Sequence, residues 1–185
     1  TTAQVLALTT DQAQKLTTTQ VAALSATQAP ALTSSQLTAI ELVDIPALSN
    51  TALQALSADQ IGALTSEQIH AMSGSQIGAI TTDQLPGLTN NDIRALSSQQ
   101  TQSLTPTQLH NMAVSQLQAL TSTSLQALSS TQIRALSDEQ FAGLTSGQIA
   151  AFHYSQIPAI TTDQIVSLGA DDMAAMTTRQ ILALG

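Results

Sequence analysis

The sequence predicts an all-α solenoid of very short capped helices, one per eight-residue repeat, and three observations carry that expectation. First, every eighth position from Leu8 to Leu184 is Leu, Ile, Met or Phe, 23 positions out of 23, without insertion or deletion. Second, Thr or Ser follows that residue in most units, and Gln stands three residues further on in 18 of 23, from Gln4 to Gln180. Third, charge is sorted within the unit. Eleven of the twelve acids lie early in it and three of the four basic residues lie late. Numbered from the large apolar residue as position 0, the consensus is L-[T/S]-x-x-Q-[I/L]-x-A.

Position 1 opens each helix. Ser or Thr followed three residues later by Gln is a capping box: the hydroxyl accepts from a backbone N–H one turn in, and the Gln side chain reaches back to the cap. Pro106, at position 2, takes the first helical place, where a missing N–H costs nothing. Positions 2 to 4 hold Asp11, Asp44, Asp59, Glu67, Asp83, Asp92, Asp138, Glu139, Asp163, Asp171 and Asp172, and only Glu41 falls outside. Lys15, Arg94 and Arg134 sit at positions 6 or 7, with Arg179 at position 3 as the exception. Acids at the start and bases at the end suit a short helix dipole.

One continuous helix fails on geometry. Eight residues at about 100° each would carry the apolar stripe some 80° around the helix per repeat, so no face would form. Pro30, Pro46, Pro86 and Pro158, all at position 6, also forbid an unbroken i→i−4 ladder. Each octad is therefore expected to be a separate piece of one to two turns ending in a bend near position 6. Such pieces hold only by stacking, with positions 0, 5 and 7 expected to face inward. A β-solenoid is the alternative, since Ile-x-Ala alternates like a strand. Against it, Gly is only 8 of 185, Asn-Gly and Asp-Gly are absent, and Ala, Leu and Gln favour helix.

Residues 1–185 are expected to form a single continuous octad array. The array carries a longer period of 40 residues, or five octads. Ser35, Ser75, Ser115 and Ser155 precede Gln at that spacing. His70 and His110, Arg94 and Arg134, and Pro46 and Pro86 keep it too. So do Ala52, Asp92 and Asp172, which replace the Gln. Either five octads were duplicated as a block, or five octads approximate one superhelical turn.

Composition excludes several functions. A net charge of −8 with 9% charged residues opposes nucleic acid, whose phosphates need a Lys/Arg surface, and anionic membrane surfaces as well. No apolar run is long enough to span a bilayer. Without Cys there is neither a disulfide framework nor thiol catalysis. The first residues are already in phase and no signal peptide is visible, which points to a mature product or a piece of a longer array.

No constellation carries chemistry, so no catalytic, cofactor-binding or metal residue is assigned and the chain is expected not to be an enzyme. His70, His110 and His153 would need stacking to meet at a metal and read as exposed polar residues. The pairs Asp171–Asp172 and Asp138–Glu139 lack the D-x-D-x-D-G pattern of a calcium loop and are explained by helix N-terminal charge. The Gln column could be a ladder for binding, but the capping offset gives it a structural role, with amide bonds between neighbouring units. The Thr columns suggest ice binding, yet position 1 hydroxyls are engaged as caps.

Octads such as Ile160–Ser167 (ITTDQIVS) and the stretch ALTSEQIHAM around Thr65 resemble the long ALTTxQIxAL arrays of very large bacterial secreted or surface proteins. That resemblance covers the full chain and implies a repetitive extracellular or cell-surface region of a bigger protein, with adhesion or haem utilisation as the associated roles. The same octad is locally similar to the opening helix of TAL-effector repeats. The rest of their unit and its basic surface are missing, so this similarity implies a helix and not DNA recognition. The expected function is a self-stacking solenoid, used as filament subunit, stalk or spacer and joined end to end or continued in a larger chain. The alternative is a solenoid module that binds protein or glycan.

Overall fold

A computed structural model describes residues 1–184. The chain is all-helical, with no strand among the described residues, so the β-solenoid is excluded. It divides into two compact units, Thr1–Ala95 and Leu96–Gly185.

Each octad supplies one helix of at most two turns. Ser66–Ala71 shows the pattern. The helix fills positions 2 to 7. Thr65 before it (φ −73°, ψ 157°) and Met72 after it (φ −60°, ψ 146°) are extended, so the chain turns at positions 0 and 1. This corrects the expected bend near position 6. The proline at position 6 lies inside the helical piece, where it has no N–H for the carbonyl four residues back. The four octads that carry it are accordingly 3₁₀ and not α: Ala29–Ala31, Ile45–Ala47, Leu85–Gly87 and Tyr154–Ala159. Pro106 opens the α-helix Pro106–Asn111, as expected of a first helical residue.

Within each unit, an octad packs against the octad three further along. In the first unit Ser66–Ala71 lies on Asn90–Ala95 and Thr10–Gln14 on Ser34–Ala39; in the second Ser98–Ser103 lies on Ser122–Ala127 and Ser146–Ala151 on Ala170–Ala175. Three octads, and not five, separate stacked helices, so the 40-residue period is not the superhelical turn. No helix is long enough to be stable alone, and burial between stacked octads holds it.

Positions 0 and 5 supply the apolar core. Leu32, Leu37, Ile69, Ile77, Leu117, Leu125 and Ile133 are all buried there. The third inward position is 4, and not 7 as expected. Gln68, Gln76, Gln84, Gln132 and Gln164 are as inaccessible as the leucines. Position 7 is mostly half-buried, and its small side chain has a distinct cause. A Cβ on Gly87 would fall 2.1 Å from the carbonyl oxygen of Ala58 and 3.1 Å from Gly62 N, three octads behind. At Gly87, therefore, position 7 lies against main chain with no room for even a Cβ.

Candidate functional site

The most specific constellation in the molecule is the glutamine column. Its amide is split between two tasks. In the octad of Gln76, Oε1 accepts from Ser73 N at 2.8 Å, and Ser73 Oγ accepts from Gln76 N at 3.2 Å. That is the capping box. The other end of the amide reaches a different octad altogether: Nε2 donates to Ile45 O and Leu48 O, each at 2.8 Å, 31 and 28 residues earlier.

The same two offsets recur in both units. Gln68 donates to Leu37 O and Ile40 O, and Gln84 to Leu53 O and Leu56 O. In the second unit Gln140 donates to Leu109 O and Met112 O, and Gln180 to Ile149 O and Phe152 O. The acceptors lie at and just past the end of an earlier helix: the first, such as Ile45 O, also accepts a backbone N–H (from Leu48 N at 3.1 Å), and the second, such as Leu48 O, belongs to the extended residue that follows the helix. A single side chain therefore caps the start of its own helix and the end of another. The amide bonds expected between adjacent octads run instead between octads one superhelical layer apart. Gln4, Gln12 and Gln20 differ. They are exposed, their Oε1 atoms still close the capping box, and no carbonyl among the described residues accepts from their Nε2.

A second ladder runs along the outside. Position 6 side chains donate forward to a position 7 carbonyl 25 residues on: Gln54 to Ala79 at 3.2 Å, Gln118 to Gly143 at 2.7 Å and Gln126 to Ala151 at 3.0 Å. His70 and His110 occupy the same slot, with Nδ1 2.7 Å from Ala95 O and 3.0 Å from Ala135 O. A carbonyl only accepts, so Nδ1 carries the proton in both. These histidines are outer-ladder residues, a role the sequence reading passed over by treating position 6 as variable. His153 is a cap: its Nδ1 accepts from Ser155 N at 3.3 Å.

The paired acids stand where helix charge places them. Asp138 and Glu139 lie in the first turn of Asp138–Ala142, and Asp171 and Asp172 in that of Ala170–Ala175. Among the described residues no group of three or more His, Cys, Asp or Glu side chains is arranged to hold a metal ion. No helix among them is long and apolar enough to cross a membrane. A recess on the surface of the first unit, about 440 Å³ in volume, is lined by Leu42, Ser66, Glu67, His70, Ala71 and Ala95. Beside it Leu42 and Val43 are exposed, in an octad that lacks the cap hydroxyl because Glu41 stands at position 1.

Residues 37–74 and 122–153 match the family model of the ALTTAQ repeat. These stretches are ALTTAQ-type octads. No curated protein matches the chain. Both matched stretches carry the features described above. The first contains Gln68 with its reach to Leu37 and Ile40, and the second Gln132 with its reach to Thr101 and Leu104. In both matched stretches the Gln of the octad is thus both cap and inter-layer tie.

Proposed function

We propose that this helical repeat protein is structural: a self-stacking solenoid that serves as stalk, spacer or filament subunit in a bacterial surface or secreted assembly. The observation that carries the reading is the contrast along the glutamine column. Gln68, Gln76 and Gln84 are buried with their amides on carbonyls four octads behind, whereas Gln4, Gln12 and Gln20 offer the same amides to solvent. At the opposite end Ile181 and Leu184 are exposed at positions 5 and 0, which are otherwise core. Such faces suit further octads of the same kind, whether in a longer chain or in a second copy. Contacts that repeat without closing produce filaments. The low content of charged and aromatic residues suits a spacer, and the proposed place of action is extracellular or on the cell surface.

Electron microscopy of the purified chain over a concentration series tests this. Uniform filaments or end-to-end rods that lengthen with concentration are expected. Monomers of one length at every concentration would contradict self-stacking.

A second reading, a module that binds protein or glycan, is favoured by one feature: the recess beside Leu42 and Val43. Against it, the recess holds none of the Trp, Tyr or Arg side chains that dominate binding hot spots.

A further inference from the structure

The glutamine ladder has a weakness that follows from its regularity. A main-chain carbonyl stands at the same place in every octad, so the amide of Gln76 would be satisfied as well by an octad one step out of register. Leu and Ile recur at positions 0 and 5 of most octads, so their burial does not by itself mark which octad is the partner. Something else must choose the layer on which each octad sits.

Position 4 is Asp in three octads, and all three behave alike. Asp44 accepts from Thr18 Oγ1, Asp92 from Ser66 Oγ at 2.7 Å, and Asp172 from Ser146 Oγ at 2.7 Å; in each pair the hydroxyl lies 26 residues earlier. Asp92 is 2% exposed, and its other oxygen accepts from Thr89 N at 2.8 Å and Thr89 Oγ1 at 2.7 Å. A carboxylate cannot donate to the carbonyls that Gln would bind. It must find a donor instead, and the donor is a side chain, which differs from octad to octad. A slip of one octad would set Ala26 or Thr10 against Asp44, Gly74 or Ala58 against Asp92, and Tyr154 or Asp138 against Asp172. Of these six only Thr10 offers an aliphatic hydroxyl. Gly74, Ala58 and Ala26 would leave a carboxylate without its donor, Tyr154 brings a ring in place of a hydroxymethyl group, and Asp138 brings a like charge.

We propose that Thr18–Asp44, Ser66–Asp92 and Ser146–Asp172 are register keys: side-chain pairs that determine which octad stacks on which in an array whose other contacts tolerate an eight-residue slip. Buried polar groups that select one register at the expense of stability are an attested device in coiled coils. The inference does not depend on what the array is for.

Cysteine trapping during refolding tests it, because the chain has no cysteine of its own. Ala150→Cys with Ala175→Cys reports the native register. Ala150→Cys with Ser167→Cys, and Ala150→Cys with Ala183→Cys, report slips of one octad in either direction. With Asp172 present, only the native pair is expected to close under mild oxidant. With Asp172→Gln, closure of the slipped pairs is expected to rise on the order of tenfold, the discrimination a hydrogen bond to a charged group supplies. Gln is the consensus residue at this position, so this variant keeps the cap. Ser146→Ala carries the same test from the hydroxyl side, and the same rise is expected. If slipped closure stays at the background of the parent chain in both variants, the pairs only add stability and the proposal is overturned.

Discussion

Gln76 and Leu48 stand 28 residues apart in the chain and 2.8 Å apart at amide nitrogen and carbonyl oxygen. That bond explains how a helix of six residues can exist at all. Leu48 is the extended C-cap that follows the helix Ile45–Ala47. The amide of Gln76 supplies the Leu48 carbonyl with a donor, while its oxygen caps the helix Gly74–Ala79 to which it belongs. Short helices fail alone because their orphan groups outnumber their bonds. Here the orphans of one octad are the partners of another.

Replacing Gln76 by Ala removes two bonds at its own cap, from Ser73 N and Ser73 Oγ, and two inter-layer bonds at a site that is 2% exposed. Leu48 O loses its donor, Ile45 O keeps the backbone N–H of Leu48, and the lost bonds together should cost about 3 kcal/mol. Gln12→Ala removes only the exposed cap bond to Thr9 N and should cost below about 1 kcal/mol. Urea unfolding of the two variants side by side checks the difference. Equal losses would mean that the inter-layer bonds contribute nothing.

Two glycines should respond in opposite senses. Gly87→Ala drives a Cβ into the carbonyl of Ala58, which is main chain and cannot swing aside, and should destabilise by about 1–3 kcal/mol. Gly147 lies in the helix Ser146–Ala151, and its nearest neighbour to a built Cβ is Thr145 Oγ1 at 3.9 Å. Gly147→Ala should therefore stabilise by up to about 1 kcal/mol through helix propensity. Thermal melts of both variants give the signs.

Gln118→Pro should leave a folded protein with one octad changed from α to 3₁₀, as Pro30, Pro46, Pro86 and Pro158 already show at this position. It also loses the bond from Gln118 Nε2 to Gly143 O, so a cost of about 1–3 kcal/mol is expected. Far-UV circular dichroism should lose the helical signal of one octad and no more. Collapse of the whole spectrum would mean that position 6 cannot accept proline outside its present octads.

Leu64→Asp should unfold the first unit, since Leu64 is 5% exposed at position 0 and a charge there would have no partner. A loss of at least about 3 kcal/mol is expected. Val166→Asp, at a residue 78% exposed, should be close to neutral. Limited proteolysis of both variants separates the two cases.

Much of this architecture is legible in the sequence because it is local. Thr65 and Gln68 announce the capping box by spacing alone, and the box is there. The failure of an eight-residue period to make a helical face forces a break in each octad. The place of the break is not legible in the same way. Pro46 at position 6 looks like a boundary, whereas the turn is made by extended residues such as Leu48 and Ser49; Ser49 is announced as an N-cap, but the type of Leu48 does not advertise its extended backbone. Nor does the column of Gln reveal that its second role lies 28 to 31 residues back, because any distance that is nearly a whole number of octads looks alike in a repeat. The residues that break the repeat are more informative. Asp92 above Ser66 was the available signal for the layer spacing, since a carboxylate must lie near a donor side chain and the carbonyls of the array cannot serve.

The central claim is that the buried glutamine amides tie their octads to carbonyls 28 and 31 residues earlier. It is tested most directly by NMR detection of coupling through the hydrogen bond from Gln side-chain Nε2 to backbone carbonyl carbon. Gln76 should couple to Leu48 and Ile45, and Gln84 to Leu56 and Leu53, with slowly exchanging amide protons, while Gln12 and Gln20 show neither coupling nor protection. Uniformly fast exchange along the column, or couplings from Gln76 to carbonyls at any other offset, would contradict it.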